Sequence, residues 1–194
     1  IQSIAGSLQT LAAGENPPAD WRADLRQGLA VIASRSAALS RFTTAYTRLA
    51  KLPPPRPEPV ALEPLVRRVA ELETRLPVGL IPGSSLVISA DADQLEQLLI
   101  NVVRNAVDAA LETGGGVALG WKRGAGLVEI WVADDGPGLP NTSNLFVPFF
   151  TTKPGGSGIG LVLCRQIAEA HGGTFVLENR HGHNGCIARL RLPT

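Results

Sequence analysis

Asn101, Asn105 and Asp108 fall at i, i+4 and i+7 of the stretch Gln97-Leu98-Leu99-Ile100-Asn101-Val102-Val103-Arg104-Asn105-Ala106-Val107-Asp108-Ala109-Ala110. In a helix that spacing puts all three on one face. Asn inside a mostly apolar helix is costly unless something uses it. Side-chain oxygens at this spacing suit a hard cation such as Mg²⁺, which takes few protein ligands and keeps waters and phosphate oxygens. A polar stripe on a helix surface is the alternative.

Three further stretches could do chemistry. Asp134-Asp135-Gly136-Pro137-Gly138-Leu139 directly follows an apolar strand pattern. Its Asp and Gly residues suit a strand-end turn. They equally suit a pocket floor, where a carboxylate accepts from an exocyclic amine and glycines let a flat ring approach the backbone. Next, Phe146, Phe149 and Phe150 place three of the chain's five Phe residues within five positions of a Gly-rich loop. Their expected use is to anchor that loop. Last, Gly155-Gly156-Ser157-Gly158-Ile159-Gly160-Leu161 runs into a helix N-terminus, where free N–H groups and the helix dipole attract an anion. It fits neither the GxxxxGK[ST] phosphate loop nor the dinucleotide GxGxxG pattern.

The elements that must position these residues can be read from periodicity. Residues 21–50 lack Pro, and Trp21, Leu25, Leu29, Ile32, Leu39, Phe42, Tyr46 and Leu49 recur at three- and four-residue steps. This predicts a long amphipathic helix with Asp20 as N-cap. Residues 1–11 predict a shorter helix with Ile4, Leu8 and Leu11 on one face. Gly14, Asn16, Pro17 and Pro18 separate the two into a helical hairpin. Its arms, ~45 Å and ~15 Å at ~1.5 Å per residue, are unequal. The first arm is therefore expected to continue upstream of Ile1, with the apolar stripe serving a homodimer. Residues 53–59 form a Pro-rich linker. Beyond it the patterns predict strands at 60–62, 78–81, 86–89, 117–122, 127–134, 174–178 and 186–192. Helices are predicted from Pro64 to 74, at 92–111 capped by Asp91, and at 159–171 ended by Gly172-Gly173. The strands at 78–81 and 86–89 read as a pair around Pro82-Gly83. Without a strict βαβ rhythm, the mixture argues an α+β fold, a mixed sheet with helices on one face.

Bulk composition narrows the rest. With 194 residues, 44% hydrophobic and 18% charged, a real core is expected and global disorder is not. A net charge of +1 gives no argument for nucleic acid or a membrane surface. No apolar run is long enough to predict a membrane span. Met is absent, so the chain is expected to be a piece of something longer. Cys164 and Cys186 fit no zinc spacing and are expected as buried free thiols.

Taken in order and spacing, the four stretches resemble the N box, first glycine box, F box and second glycine box of the histidine-kinase branch of the GHKL ATPases. That group also includes DNA gyrase B and MutL. The run GGSGIGLVLCRQIAEAHGG, ending at His171-Gly172-Gly173, and the tail Leu177-Glu178-Asn179-Arg180 look like the kinase branch. PFFTTKPGGSGIGL is similar to NtrB/NtrY-like kinases. The hairpin resembles the dimerisation and histidine-phosphotransfer domain of such kinases. The implied domains are residues 1–52 for that hairpin, 53–59 for the linker and 60–194 for a GHKL-type α/β sandwich.

By this resemblance Asn105 binds Mg²⁺ and Asn101 faces the phosphates of ATP, with Asp108 beside them. Asp134 reads adenine, with Gly136 and Gly138 as its glycines and Asp135 in the variable position. Gly156, Ser157, Gly158, Ile159, Gly160 and Leu161 form the phosphate loop. Thr151, Thr152 and Lys153 are lid contacts. The implied cofactors are ATP and Mg²⁺, and the implied partner is a response-regulator receiver domain. The implied location is cytoplasmic. One departure matters: the only His residues are His171, His181 and His183, all late in the chain. The acceptor His of the family is therefore expected upstream of Ile1. His171 suits a helix C-terminus and His181-Gly182-His183 a turn. The alternatives are a GHKL ATPase or pseudokinase that uses ATP as a conformational switch, and an anti-sigma-type kinase acting on Ser.

Overall fold

A Pro-free run of 30 residues forms α1 (Trp21–Ala50). The computed structural model describes residues 5, 6, 8, 9, 21–50, 52–140, 144–151, 153 and 156–194, less the side chains of 38, 41, 42, 44–46 and 48–50. Along α1, Trp21, Leu25, Gly28 and Ile32 are half-buried. Ala5, Gly6, Leu8 and Gln9 are helical. Leu8 is buried against Gly28, where an added Cβ would lie 2.7 Å from Leu8 Cδ2. The missing side chain leaves room for the Leu8 side chain against α1. Further along the expected stripe, Leu29 and Leu39 are exposed. The rest of the first arm, its turn and the side chains of Phe42, Tyr46 and Leu49 lie outside the described residues. The chain divides into two compact units, Ile1–Ala50 with Lys153–Ser157, and Lys51–Thr152 with Gly158–Thr194.

The second unit is the α+β part. Its elements are β1 (Glu58–Ala61), α2 (Leu62–Leu72), β2 (Val78–Ile81), β3 (Val87–Ala90) and α3 (Ala92–Thr113). They continue as β4 (Val117–Arg123), β5 (Leu127–Asp134), α4 (Gly160–Ala170), β6 (Thr174–Asn179) and β7 (Cys186–Pro193). Five strands form one mixed sheet in the order β2-β4-β5-β7-β6. Strand β2 runs parallel to β4, and the remaining pairs are antiparallel. Alternation sends Leu119, Trp121, Val128, Ile130, Val132, Ala188, Leu190 and Phe175 to one face. They are buried there with the apolar sides of α2, α3 and α4. The opposite face carries Glu129, buried and paired with Arg189, Arg191 and Lys122. Burial would raise the Glu129 carboxyl, but these three cations outweigh it and hold it below the ordinary range.

Strands β2 and β3 correct one expectation. They do not pair around Pro82-Gly83. Strand β3 pairs antiparallel with β1 in a separate two-stranded sheet, while β2 joins the main sheet. The reason lies in residues 82–86. A Cβ on Gly83 would fall 2.2 Å from the Trp121 carbonyl oxygen, and the Trp121 indole N–H donates to the Ser84 carbonyl at 3.0 Å. The segment is spread over Trp121 instead of closing a hairpin turn.

Helix α3 is fixed at both ends. Asp91 accepts from the Gln94 amide at 3.0 Å, and Gly114 ends the helix in the left-handed region at φ 71°. Leu95, Leu98, Leu99, Val102, Val103, Ala106 and Val107 are buried along it. Asn101, Asn105 and Asp108 are left half-buried. The Pro-rich stretch docks on the start of this helix. Gln94 Nε2 donates to the Pro53 carbonyl at 3.0 Å, the Arg56 amide donates to Asp91 Oδ2 at 2.9 Å, and Leu52 packs on the core.

Gly83→Ala should lower stability by ~1–3 kcal/mol, because the new methyl overlaps backbone that cannot turn aside. Urea denaturation should show a lower midpoint at unchanged slope. An unchanged midpoint would mean that residues 82–86 do not lie over Trp121.

Candidate functional site

Asp134 closes β5 on the core-facing side of the sheet, opposite Val117. It is 5% exposed. Its Oδ1 accepts from the Gly136 amide at 2.9 Å and the Cys186 amide at 3.2 Å. Burial raises this carboxyl above the ordinary Asp range, and the two N–H donors offset only part of that. Among the described residues no hydrogen bond reaches Oδ2, which keeps its acceptor capacity.

Backbone crowds this carboxylate. A Cβ on Gly136 would lie 2.6 Å from Ala109 Cβ on α3. Gly185, at φ 92°, has room for no side chain: a Cβ would fall 1.9 Å from the Asp134 carbonyl oxygen. Arg180 Nη1 donates to that same carbonyl at 2.9 Å and also pairs with Asp135 Oδ1. Arg180 holds the Asp135 carboxyl below its usual range. Asp135 Oδ2 accepts from the Gly116 amide at 3.1 Å, and Thr113 Oγ1 donates to the Asp135 carbonyl at 2.8 Å. The variable position of the motif is thus a clamp joining the α3–β4 turn to the β6–β7 hairpin. Asn179 is a second clamp. Its Oδ1 accepts from the Leu139 amide at 2.7 Å and its Nδ2 donates to the Leu139 carbonyl at 3.0 Å. The loop through Gly138, at φ 81°, is held on the edge of the sheet.

On α3, Asn101 Oδ1 lies 3.9 Å from where a Cβ of Gly160 would stand, so it looks onto the first turn of α4. Ile159, the N-cap residue of α4, is buried and supplies no side-chain acceptor, and the first turn carries no acidic group. Among the described residues the leading N–H groups of Gly160 and Leu161 therefore have no side-chain cap. Asp108 accepts from Arg75 Nη1 at 2.7 Å.

Of the three clustered Phe residues, Phe146 behaves as the expected anchor. It meets Phe175 edge-on at 6.1 Å and lies under the Arg165 guanidinium at 3.4 Å. Phe149 and Phe150 are exposed. Phe149 sits at φ 66°, a costly conformation for a non-glycine residue. Its amide donates to the Gly158 carbonyl at 2.9 Å, and a Cβ on Gly158 would come within 2.5 Å of the Phe149 backbone. The base of the loop is pinned there. Thr151 is exposed. Lys153, Gly156 and Ser157 fall in the first unit, where the Gly156 amide donates to the Lys153 carbonyl at 3.1 Å. Thr152 lies outside the described residues.

Within the second unit, Gly136 beside Asp134 lies against Ala109 of α3, Asn101 of the same helix faces Gly160 at the start of α4, and Asn105 and Asp108 fall between them along the helix. The three His residues serve the scaffold or its surface. His171 Nε2 accepts from the Asp91 amide at 3.0 Å and its Nδ1 donates to the Ile167 carbonyl at 2.8 Å. His181 and His183 are exposed in the turn between β6 and β7. Cys164 and Cys186 are buried free thiols, and burial pushes the Cys186 thiol up to about 11. Sequence reasoning missed the clamps made by Asn179, Arg180 and Asp135, and the Arg75 contact to Asp108.

Comparison with known proteins agrees with this geometry. Residues 90–194 match the family described as histidine kinase-, DNA gyrase B-, and HSP90-like ATPase. The C4-dicarboxylate transport sensor protein DctS of Rhodobacter capsulatus is 37% identical over 140 residues, 70% of this chain and 20% of that protein. Sensor histidine kinase ZraS of Escherichia coli (strain K12) is 39% identical over 108 residues, 55% of this chain and 23% of that protein. This chain thus spans about a fifth to a quarter of the length of these curated relatives. Among solved structures, the catalytic domain of histidine kinase ThkA aligns with a TM-score of 0.63 and 31% identity, covering 71% of this chain and 95% of that one. Histidine kinase ThkA in complex with response regulator protein TrrA shares the fold, with a TM-score of 0.68 at 24% identity. The chain belongs to the histidine kinase-, DNA gyrase B-, and HSP90-like ATPase family.

Proposed function

We propose that the second unit binds Mg²⁺-ATP and donates its γ-phosphoryl group to a His of the parent sensor kinase. The observation that carries this reading is Asp134. A nearly desolvated carboxylate that spends Oδ1 on two backbone N–H groups and keeps Oδ2 for another donor suits an adenine amine. Gly136 and Gly138 keep side chains away from where the ring would lie. The phosphates would run along α3 toward the first turn of α4, whose uncapped N–H groups and dipole favour an anion. Gly156, Ser157, Gly158 and Gly160 would form the loop around them. Thr151, Thr152 and Lys153 would close over the phosphates from the lid.

Asn105 and Asn101 offer neutral, hard oxygen donors at half-buried positions. That sparse set fits Mg²⁺, which prefers one or two protein oxygens plus phosphate and water. When bound, the ion would neutralise charge on the transferring phosphoryl group. In the transfer, the bond from the γ-phosphorus to its bridging oxygen breaks and an imidazole nitrogen bonds to phosphorus. ADP leaves, and the imidazole gives up a proton. The chain's own part is to hold the nucleotide in line.

The division proposed for the chain is a dimerisation and phosphotransfer region at residues 1–52, a linker at 53–59 and the catalytic domain at 60–194. Homodimerisation through the α1 side is supported by exposed Leu29 and Leu39. Transfer onward to a receiver domain is proposed by analogy with ThkA, which was solved with a response regulator. No described helix is long and apolar enough to cross a membrane. A cytoplasmic position for this region is proposed from its likeness to the ATP-binding region of sensor kinases.

Two experiments test the reading. First, the chain should bind ATP without labelling itself from γ-labelled ATP, because both nitrogens of His171 are engaged and His181 and His183 lie on the turn beside the Asp134 end of the site, not beside α4 where the phosphates would run. A separately supplied two-helix domain bearing the acceptor His should take up an acid-labile label. An acid-stable label, or stoichiometric labelling of this chain, would contradict the proposal. Second, Asn105→Ala should weaken Mg²⁺-ATP binding roughly tenfold or more, while metal-free ATP binding changes little. Equal losses with and without metal would make Asn105 a purely structural residue.

A further inference from the structure

The pairing of β5 with β7 stops at the residue that carries the site. Asp135 donates its amide to the Gly116 carbonyl at 3.0 Å, on the β4 side. Alternation along an extended strand turns the main-chain groups of Asp134 the other way, toward β7. The regular register of β5 with β7 ends at Ala133 opposite Ile187, so Cys186 is the next residue in line. Its amide goes instead to Asp134 Oδ1 at 3.2 Å. The carboxylate thus takes the donor that the Asp134 carbonyl would have used. A buried carbonyl left without a donor is costly, and Asp134 is 5% exposed.

Arg180 supplies the replacement. Its Nη1 donates to the Asp134 carbonyl at 2.9 Å, and the same nitrogen pairs with Asp135 Oδ1. The side chain is set in place from the hairpin. Arg180 is the first residue after β6, and its amide donates to the Gly185 carbonyl at 3.0 Å. Gly185 is the residue whose backbone presses on the Asp134 carbonyl. The Asp135 side chain is 54% exposed, so the ion pair alone gains little. The bond to the buried carbonyl matters more. Without it, that carbonyl and Oδ1 compete for a single amide.

We propose that Arg180 is a positioning residue for base selection: by satisfying the Asp134 carbonyl, it leaves the Cys186 amide to the carboxylate that would read adenine. This deepens the ATP reading and rests on it. The effect belongs to the base end of the site, so adenosine and ATP should respond alike. GTP, which presents a carbonyl oxygen to Asp134, should respond little.

Calorimetry with ATP, GTP and adenosine on the full chain separates the cases. Arg180→Met keeps the length of the side chain and removes its donor. Affinity for ATP and for adenosine should both fall roughly five- to tenfold, with GTP within about twofold, so the preference for ATP shrinks. Arg180→Lys should recover ATP affinity to within about threefold of the wild type, because both contacts use one nitrogen and a single cation can make them. Asp135→Asn should cost less than about threefold, because Arg180 still holds the carbonyl. The ratio of ATP to GTP affinity does not depend on the fraction of folded chain, so it separates base selection from a loss of stability. An unchanged ratio in Arg180→Met would overturn the proposal. So would a lysine variant no better than the methionine one. A loss in Asp135→Asn equal to that in Arg180→Met would also overturn it, by assigning the effect to the surface ion pair. Failure of the underlying ATP reading is distinguishable, because the wild-type chain would then show no preference for ATP over GTP.

Discussion

A carboxylate held almost out of water at the end of a strand is the constraint around which this domain is built. Burying an ionisable group is costly unless its charge is satisfied. Asp134 receives two backbone N–H bonds at one oxygen, and its carboxyl still sits above the ordinary range because burial dominates. Much of the nearby chain exists to keep that carboxylate in place. Strand β7 starts with the amide that caps it. Gly185 is glycine because its backbone presses on the Asp134 carbonyl. Arg180 and Asp135 lock the same corner from the hairpin side, and Thr113 and Gly116 lock it from the helix side.

Helix α3 is the second fixed part. Its buried stripe packs on the sheet, and its polar stripe lies along the site. Asn101 and Asp108 are separated by roughly 10 Å along the axis at ~1.5 Å per residue. The helix therefore sets the spacing between the part of the site near Asp134 and the part facing α4. Both of its ends are capped, which opposes fraying. The Pro-rich stretch bonds to the N-cap residue and to Gln94, and His171 at the end of α4 bonds to the same Asp91. Chain entry, the central helix and the helix that follows the Gly-rich loop thus meet at Asp91. A rigid site is assembled from elements that the core already holds.

Much of this was legible in the sequence, for reasons that are local. Helix α3 shows a clean 3.6-residue period with an Asp cap and a terminal Gly, and β4 and β5 show alternation around a Gly-rich turn. The described parts of the four motifs sit on turns and helix faces that local spacing predicts. What was not legible depends on contacts far apart in sequence. Strands β2 and β3 look like a hairpin because five residues separate them, yet Trp121 draws those residues across its ring and sends the strands to different sheets. Arg75 reaches Asp108 across 33 positions, and Asn179 reaches Leu139 across 40. No short-range pattern marks either pair. The Phe cluster misled in a different way, since aromatic residues in a loop suggest burial, yet Phe149 and Phe150 are exposed while Phe146 packs against Phe175 and Arg165.

What Asp134 recognises decides whether this carboxylate is a nucleotide-base acceptor. Calorimetry should compare ATP with GTP on the wild-type chain and on Asp134→Asn. The carboxylate accepts from the amine of adenine, whereas guanine presents a carbonyl oxygen at that position. A buried mismatch of this kind costs ~1–3 kcal/mol or more, so ATP should bind at least roughly tenfold more tightly than GTP. Asp134→Asn should remove that preference while leaving the thermal unfolding of the domain near that of the wild type. Equal affinity of the wild-type chain for the two nucleotides would contradict the account.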